Sequence, residues 1–234
     1  MWFRVVACLS LLLLAPVARA QGKVDLALVL AVDVSASIDK SRFELQRDGL
    51  SAAFYSEAVI NAVASGENKA IVVTLVEWSG ASNQKQILPW TLINDADTAR
   101  AFGSAVAEAP RAFSDFTSIS GAIDFSVPLF ALSGYEATRR VIDVSGDGSN
   151  NSGRPILDSR DEAVAQGIVI NGLAILASEP LLERYYRENV IGGEGCFVLV
   201  AKDFDAFATA ILNKLVKEIA ALPVPRPVSL ASLP

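Results

Sequence analysis

Apolar residues change their spacing again and again along this chain, and each change marks the edge of an element. Residues 24–32 are almost all apolar, the pattern of a strand covered on both faces. Ser41-Arg42-Phe43-Glu44 has the spacing of a capping box, and the stripe formed by Phe43, Leu50 and Phe54 predicts a helix from there to about residue 64. Residues 70–78 read as a second strand and 86–93 as a shorter, more polar edge strand, followed by a helix over 95–109. A further helix is predicted over 117–132, where Pro128 should kink or interrupt it. Residues 140–144 form a strand that runs into a polar, glycine-rich turn from Ser145 to Gly153. A helix over 155–166, a strand over 168–176, a helix over 180–189 and a last strand over 196–201 complete the alternation. The closing helix, 203–220, carries Phe204, Phe207, Ala208, Ile211, Leu215 and Ile219 at helical spacing.

Strands that alternate with helices in this way predict an α/β fold, with a doubly wound, mainly parallel six-stranded sheet flanked by helices. No internal repeat or shift in composition divides residues 21–220, which read as one domain. Residues 1–20 have the features of a signal peptide: a positive start ending at Arg4, an apolar run from Val5 to Leu14, Pro16, and small residues in Ala18-Arg19-Ala20. The apolar run falls short of the roughly 20 residues a membrane span needs, so cleavage after Ala20 is expected, and no later segment is apolar enough for an integral span. Leu222 onward contains Pro223, Pro225, Pro227 and Pro234, so 221–234 reads as a proline-rich flexible tail.

Composition narrows the chemistry. The net charge of −6 becomes −8 once Arg4 and Arg19 are removed with the signal, a poor footprint for nucleic acid, whose phosphates need a basic surface. Histidine is absent, which excludes a Ser-His-Asp or Cys-His nucleophile and disfavours zinc. Cys8 lies within the signal, leaving Cys196 without an internal disulfide partner; at the head of an apolar run it reads as a buried thiol.

In open α/β sheets, ligands bind beyond the carboxyl ends of the strands. The first strand ends in Asp33-Val34-Ser35-Ala36-Ser37, the turn after residue 144 carries Asp147, and the loop 113–118 brings Thr117 to a helix start. Two carboxylates with three hydroxyls, and no nitrogen or thiolate ligand, suit a hard cation such as Mg²⁺, with Mn²⁺ or Ca²⁺ as the other candidates. Asp33-Val34-Ser35-Ala36-Ser37 resembles the Asp-x-Ser-x-Ser signature of von Willebrand factor A domains. The resemblance covers about residues 24–220. It implies a von Willebrand factor A (Rossmann-like) fold and a metal-ion-dependent adhesion site, with Ser35, Ser37 and Thr117 as hydroxyl ligands and Asp33 and Asp147 bound directly or through water. Residues 140–151 resemble a bacterial, exported subfamily of these domains with no assigned function. The implied role is non-enzymatic: an exported module, periplasmic or extracellular, that uses the ion to hold an Asp or Glu carboxylate of a partner protein.

Two residues depart from the family pattern. Gly146 is inserted before the last aspartate, and Asp143 stands in a strand where an apolar residue is usual; Asp143 reads as a buried hydrogen-bonding group or as a partner behind the site. Plainer readings also compete. Ser37, Asp39 or Thr117 could cap helices, Ser149, Asn150 and Asn151 could be turn formers, and Glu77, Trp90, Tyr185 and Tyr186 could be structural. A structural domain without metal function is one rival role. The enzymatic rival is an Mg²⁺-dependent phosphatase of haloacid dehalogenase type, suggested by Asp33 and the Gly146-Asp147-Gly148 turn. Against it, Ser35 stands where a second acid belongs and Asn151 where the turn's last acid belongs.

Overall fold

The computed structural model describes residues 22–221. The expected signal peptide and nearly all of the proline-rich tail lie outside the described residues. Six strands form a single sheet: β1 (Lys23–Asp33), β2 (Ile71–Trp78), β3 (Gln84–Ile93), β4 (Glu136–Gly146), β5 (Val169–Ile175) and β6 (Val198–Ala201), in the order β3-β2-β1-β4-β5-β6. All neighbours are parallel except β2 and β3, which are antiparallel. The chain winds outward from β1 through β2 to β3, then returns to β4 on the other side of β1 and winds outward again. The order therefore reverses between β1 and β4, and the ligand crevice of such a sheet lies at that switch point.

Helices cover both faces, and β1 shows why its sequence is apolar throughout. Leu26, Leu28 and Leu30 pack against Phe54, Phe102, Phe207 and Leu215, while Ala27, Val29 and Ala31 pack against Trp78, Ile123 and Tyr186 on the opposite face. The helices are α1 (Lys40–Tyr55), α2 (Glu57–Ala64), α3 (Ala96–Glu108), α4 (Ile119–Leu129), α5 (Ile156–Ala165), α6 (Leu182–Tyr185) and α7 (Phe207–Ala220).

Several boundaries differ from the sequence reading, each for a local reason. Asp39, not Ser41, caps α1 by accepting the Arg42 N–H, and an acid in the N-cap role needs no capping box. The single helix expected to about residue 64 breaks at Ser56, whose extended backbone ends α1 and whose hydroxyl accepts the Ala58 N–H to start α2. Pro128 lies inside the last turn of α4, which runs past it to Leu129 before a 3₁₀ turn, Phe130–Leu132, follows. Strand β4 extends past residue 144 to Gly146, so the glycine belongs to the strand and Asp147 to the turn. Cys196 precedes β6 and is half-buried, not a core thiol; partial burial raises its pKa.

Asp143 also finds its place. On β4 it pairs at 2.5 Å with Nζ of Lys214, which reaches across from α7 and also donates to Glu218 Oε1 at 2.6 Å. Asn171 Nδ2 donates to the same Glu218 oxygen at 2.9 Å. Asp143 is thus part of a sealed ion cluster between sheet and helix, held by an ion pair, and it lies behind neither of the proposed site carboxylates in any direct contact.

Candidate metal-binding site at the sheet switch point

The ends of β1 and β4 lie side by side, with Val32 in register with Ser145, so the residues that follow enter the crevice together. Asp33 is fully buried. Its Oδ1 accepts the Ser35 N–H at 2.7 Å, which folds the loop back over the carboxylate, and Gln46 Nε2 reaches its backbone carbonyl at 3.3 Å. The Ser35 and Ser37 hydroxyls are 3.1 Å apart, and the Ser37 hydroxyl donates to Asp147 Oδ1 at 2.6 Å. One continuous chain of contacts therefore joins Asp33, Ser35, Ser37 and Asp147 across the switch point. Since Asp39 is the helix cap, Ser37 is free for this role.

Thr117 is placed by the turn after β4. Its N–H donates to Asn151 Oδ1 at 2.9 Å, and its carbonyl accepts the N–H groups of Asn151 and Ser152. Asn150 Oδ1 likewise accepts the Ser120 N–H at 3.0 Å. The cap of α4 is Ser118, whose hydroxyl accepts the Gly121 N–H, so the Thr117 side chain is not spent on capping. It faces the gap left by Gly148, where a β-carbon would lie 3.7 Å from Thr117 Oγ1. Four of the five sequence-predicted residues are thus joined by direct contacts, and Thr117 borders Gly148, the residue after Asp147.

Other residues hold the region together. Arg111 donates to the carbonyls of Val34, Ser35 and Phe113, tying the Thr117 loop to the Asp33 loop, while the Ala36 N–H donates to the Asp115 carbonyl. Glu77, at the end of β2, accepts the Ala112 N–H at 2.7 Å and fixes the same loop; burial raises its pKa to about 7. Glu179 Oε1 accepts the N–H and hydroxyl of Ser149. The tyrosines do more than pack. Tyr185 accepts the Asn150 N–H through its hydroxyl, and the buried Tyr186 hydroxyl lies close to Gly146. Arg42, from the first turn of α1, places Nη1 3.5 Å from Asp147 Oδ2 and donates to the Ser37 carbonyl at 2.8 Å. Composition gave no hint of these supports, because an arginine bound to carbonyls looks like any surface arginine in a sequence.

Gly146, the insertion before Asp147, is explained by crowding. A β-carbon there would lie 2.9 Å from both Asp33 Oδ2 and the Tyr186 hydroxyl, too close for any side chain to be accommodated without moving the carboxylate.

The electrostatics leave the site short of positive charge. Burial pushes the Asp33 carboxyl up to about 7, against the lowering effect of the Ser35 hydrogen bonds. Asp147 is raised as well, again by burial, while Ser37 and Arg42 pull it back. Among the described residues, Asp33 Oδ2 and Asp147 Oδ2 have no hydrogen-bond partner. Two buried carboxylates, each with an oxygen left over, beside three hydroxyls, make a donor set that fits a hard divalent cation. No three acidic, histidine or cysteine side chains gather as a metal cluster among the described residues, so a cation here would depend on the hydroxyls as much as on charge.

Comparison with known proteins settles the relationship. Residues 23–223 match the family described as "Protein of unknown function (DUF1194)". The chain belongs to this family. A search of curated proteins found no match. Among solved structures, proximal thread matrix protein 1 from the mussel byssus superposes with a TM-score of 0.64 at 15% identity, over 85% of this chain and 49% of that one. A structure of the same mussel protein with a zinc-occupied MIDAS motif gives 0.60 at 15% identity, over 85% and 48% of the two chains. The von Willebrand factor type A protein from Catenulispora acidiphila gives 0.58 at 15% identity, over 84% and 43%. The vWF domain of the type V pili tip protein Mfa5 from Porphyromonas gingivalis gives 0.56 at 10% identity, over 86% and 98%. The chain spans about half the length of the mussel protein. At these identities the likeness establishes the fold: this DUF1194 chain has the von Willebrand factor A architecture.

Proposed function

We propose that the protein is an exported interaction module in which Asp33, Ser35, Ser37, Thr117 and Asp147 would hold a Mg²⁺-type ion, whose chemistry when bound would be to accept a carboxylate oxygen from a partner protein. The observation that carries this reading is the pair of buried carboxylate oxygens, Asp33 Oδ2 and Asp147 Oδ2, left without a hydrogen bond at the switch point. Buried carboxylates are normally paired or bound to a metal, because burying an uncompensated charge is costly. The zinc-occupied MIDAS motif of the mussel protein, on the same fold, supports a divalent site, and a byssus thread matrix protein and a pili tip protein are contexts in keeping with an interaction module. Export itself rests on the features of residues 1–20.

Binding rather than catalysis fits the residues. As a phosphatase, the site would need a second acid where Ser35 stands, yet Ser35 instead folds its N–H onto Asp33 and shares a hydroxyl contact with Ser37. Asn151, in place of the turn's final acid, is engaged with the Thr117 backbone.

Isothermal titration with Mg²⁺ and Mn²⁺ tests the proposal. Saturable binding is expected in the wild type, with a loss of at least about a hundredfold in Asp33→Ala, and no hydrolysis of p-nitrophenyl phosphate in either. A synthetic peptide carrying one Asp or Glu should bind only with metal and be released by EDTA. Metal affinity unchanged in Asp33→Ala would overturn the assignment.

A further inference from the structure

The site already contains a cation of its own. Arg42 Nη1 lies 3.5 Å from Asp147 Oδ2, one of the two oxygens without a hydrogen bond. The same nitrogen donates to the Ser37 carbonyl, and the guanidinium sits over the Phe204 ring at 5.1 Å, with Asp39 at 3.9 Å. Only about a third of the side chain is exposed (33%), so its charge is held in place by four contacts and is poorly screened.

Its position on the helix is informative. Arg42 stands in the first turn of α1, which holds no acidic residue. Cations are disfavoured there, because the unpaired N–H groups give that end of the helix a partial positive charge. Helix energetics alone would not place an arginine here. Asp147 does: without Arg42, two buried carboxylates would face each other across the Ser35–Ser37 bridge with no countercharge.

On the reading given under Proposed function, we infer that Arg42 is the metal-free site's resident counter-cation, and that it competes with a divalent ion for Asp147. A cation entering between Asp33 and Asp147 meets the Arg42 charge across the same carboxylate, so metal affinity is set below what the five donors alone would give. The guanidinium has somewhere to go when Asp147 is taken. It already borders an open groove of about 350 Å³ lined by Leu45, Leu176, Phe204, Asp203 and Asp205, with Lys202 also on its wall. Arg42 would then tune the site to a high free-metal concentration while keeping the empty site folded.

Three proteins, wild type, Arg42→Gln and Arg42→Lys, distinguish this from a purely positioning role. Titration calorimetry with Mn²⁺ and Mg²⁺ should give at least about threefold tighter binding in Arg42→Gln, the scale of a partly exposed ion pair. Arg42→Lys, which keeps the charge but not the fork that holds Ser37, should stay near the wild type. The gap between wild type and Arg42→Gln should shrink as salt rises from about 0.05 M to about 0.5 M, since the competition is electrostatic. Without metal, Arg42→Gln should melt at a lower temperature than the wild type. Metal binding that is unchanged or weaker in a folded Arg42→Gln overturns the inference and leaves the proposed site standing. Absence of binding in wild type and variant alike overturns the metal reading and this inference with it.

Discussion

Strand β4 carries Asp143, the turn that follows it carries Asp147 four residues on, and the surroundings of the two aspartates have similar charge arithmetic. Around Asp143, two carboxylates (with Glu218) share one ammonium, Lys214. Around Asp147, the second buried carboxylate is Asp33 and the nearby cation is the Arg42 guanidinium, which also faces the exposed Asp39. Each group is one positive charge short, and each shows it: Asp143 is pushed up to about 8, chiefly by burial and then by Glu218, while Asp33 is pushed up to about 7 and Asp147 is raised. The difference lies in access. The Asp143, Lys214 and Glu218 side chains are at most 1% exposed, so the deficit there can be met only by a proton. At the switch point Ser37 is exposed and Gly148 half-exposed, so the deficit can be met from outside. A buried acid becomes a candidate ligand when its countercharge can arrive from solvent, and a structural element when it cannot.

The largest effect expected from this comparison is at Lys214. Lys214→Met would leave Asp143 and Glu218 facing each other in the core with no cation, and removing one partner of a buried pair costs about 3–5 kcal/mol. The loss should be greater at pH 8 than at pH 5, where the carboxyls can take up protons instead. Thermal or urea unfolding at the two pH values measures it. Destabilisation of the same size at both pH values would show that Lys214 acts through packing alone.

A smaller and opposite effect follows at Asp143. Its folded pKa of about 8 lies above the ordinary carboxyl value, so the folded protein holds a proton that the unfolded chain gives up. Stability from this group is therefore greatest below about pH 4, falls as pH rises toward 8, and is level beyond. The charged groups facing it are Lys214 and Glu218 on α7, with Asn171 on β5 beside Glu218 and Tyr186 within electrostatic range. Asp143→Asn mimics the protonated form and keeps the Lys214–Glu218 pair. It should be nearly neutral at pH 5 and stabilising by about 1–2 kcal/mol at pH 8. Glu77, also raised to about 7, would retain part of the slope, so the pH profile should flatten without becoming flat. A variant less stable than the wild type at pH 8 would break the proton argument.

How much of this could be read from sequence differs between the fold and the site. Periodicity placed all six strands, and the apolar run 24–32 marked the first as covered on both faces, because burial on both sides writes such runs. It missed the break at Ser56, since a residue that caps one helix while ending another leaves the apolar stripe intact. The five proposed donor residues stand out in the sequence because their types and loop positions suit hard-cation chemistry. Their supports do not. Arg42, Arg111, Asn151 and Glu179 act through contacts to residues distant in sequence, as with Arg42 to Asp147 or Arg111 to Val34. Asp143 was visible as an anomaly, but Lys214, which explains it, lies 71 positions away on a helix whose apolar pattern tolerates a lysine.

The smallest effect tests how far the open group depends on its scaffold. Asn151 is not among the proposed donors, yet its Oδ1 accepts the Thr117 N–H while the Thr117 carbonyl accepts the Asn151 N–H, a reciprocal clamp between two loops. Asn151→Ala removes the side-chain half of that clamp. Thr117 would then hold its place through backbone contacts alone, and metal affinity should fall by about fivefold, the scale of one net hydrogen bond of about 1 kcal/mol. Asn151→Asp keeps an acceptor at the same place and should remain within about threefold of the wild type, its added negative charge offsetting any loss of geometry. The same variant restores the acid that a haloacid dehalogenase turn carries, so it also presses on the choice between binding and catalysis. With Ser35 still in place of the other acid, no phosphatase activity should emerge. Turnover of p-nitrophenyl phosphate by Asn151→Asp would mean that the site lies one substitution from an enzyme. Metal affinity equal in Asn151→Ala and wild type would mean instead that Thr117 needs no clamp, or is not a donor.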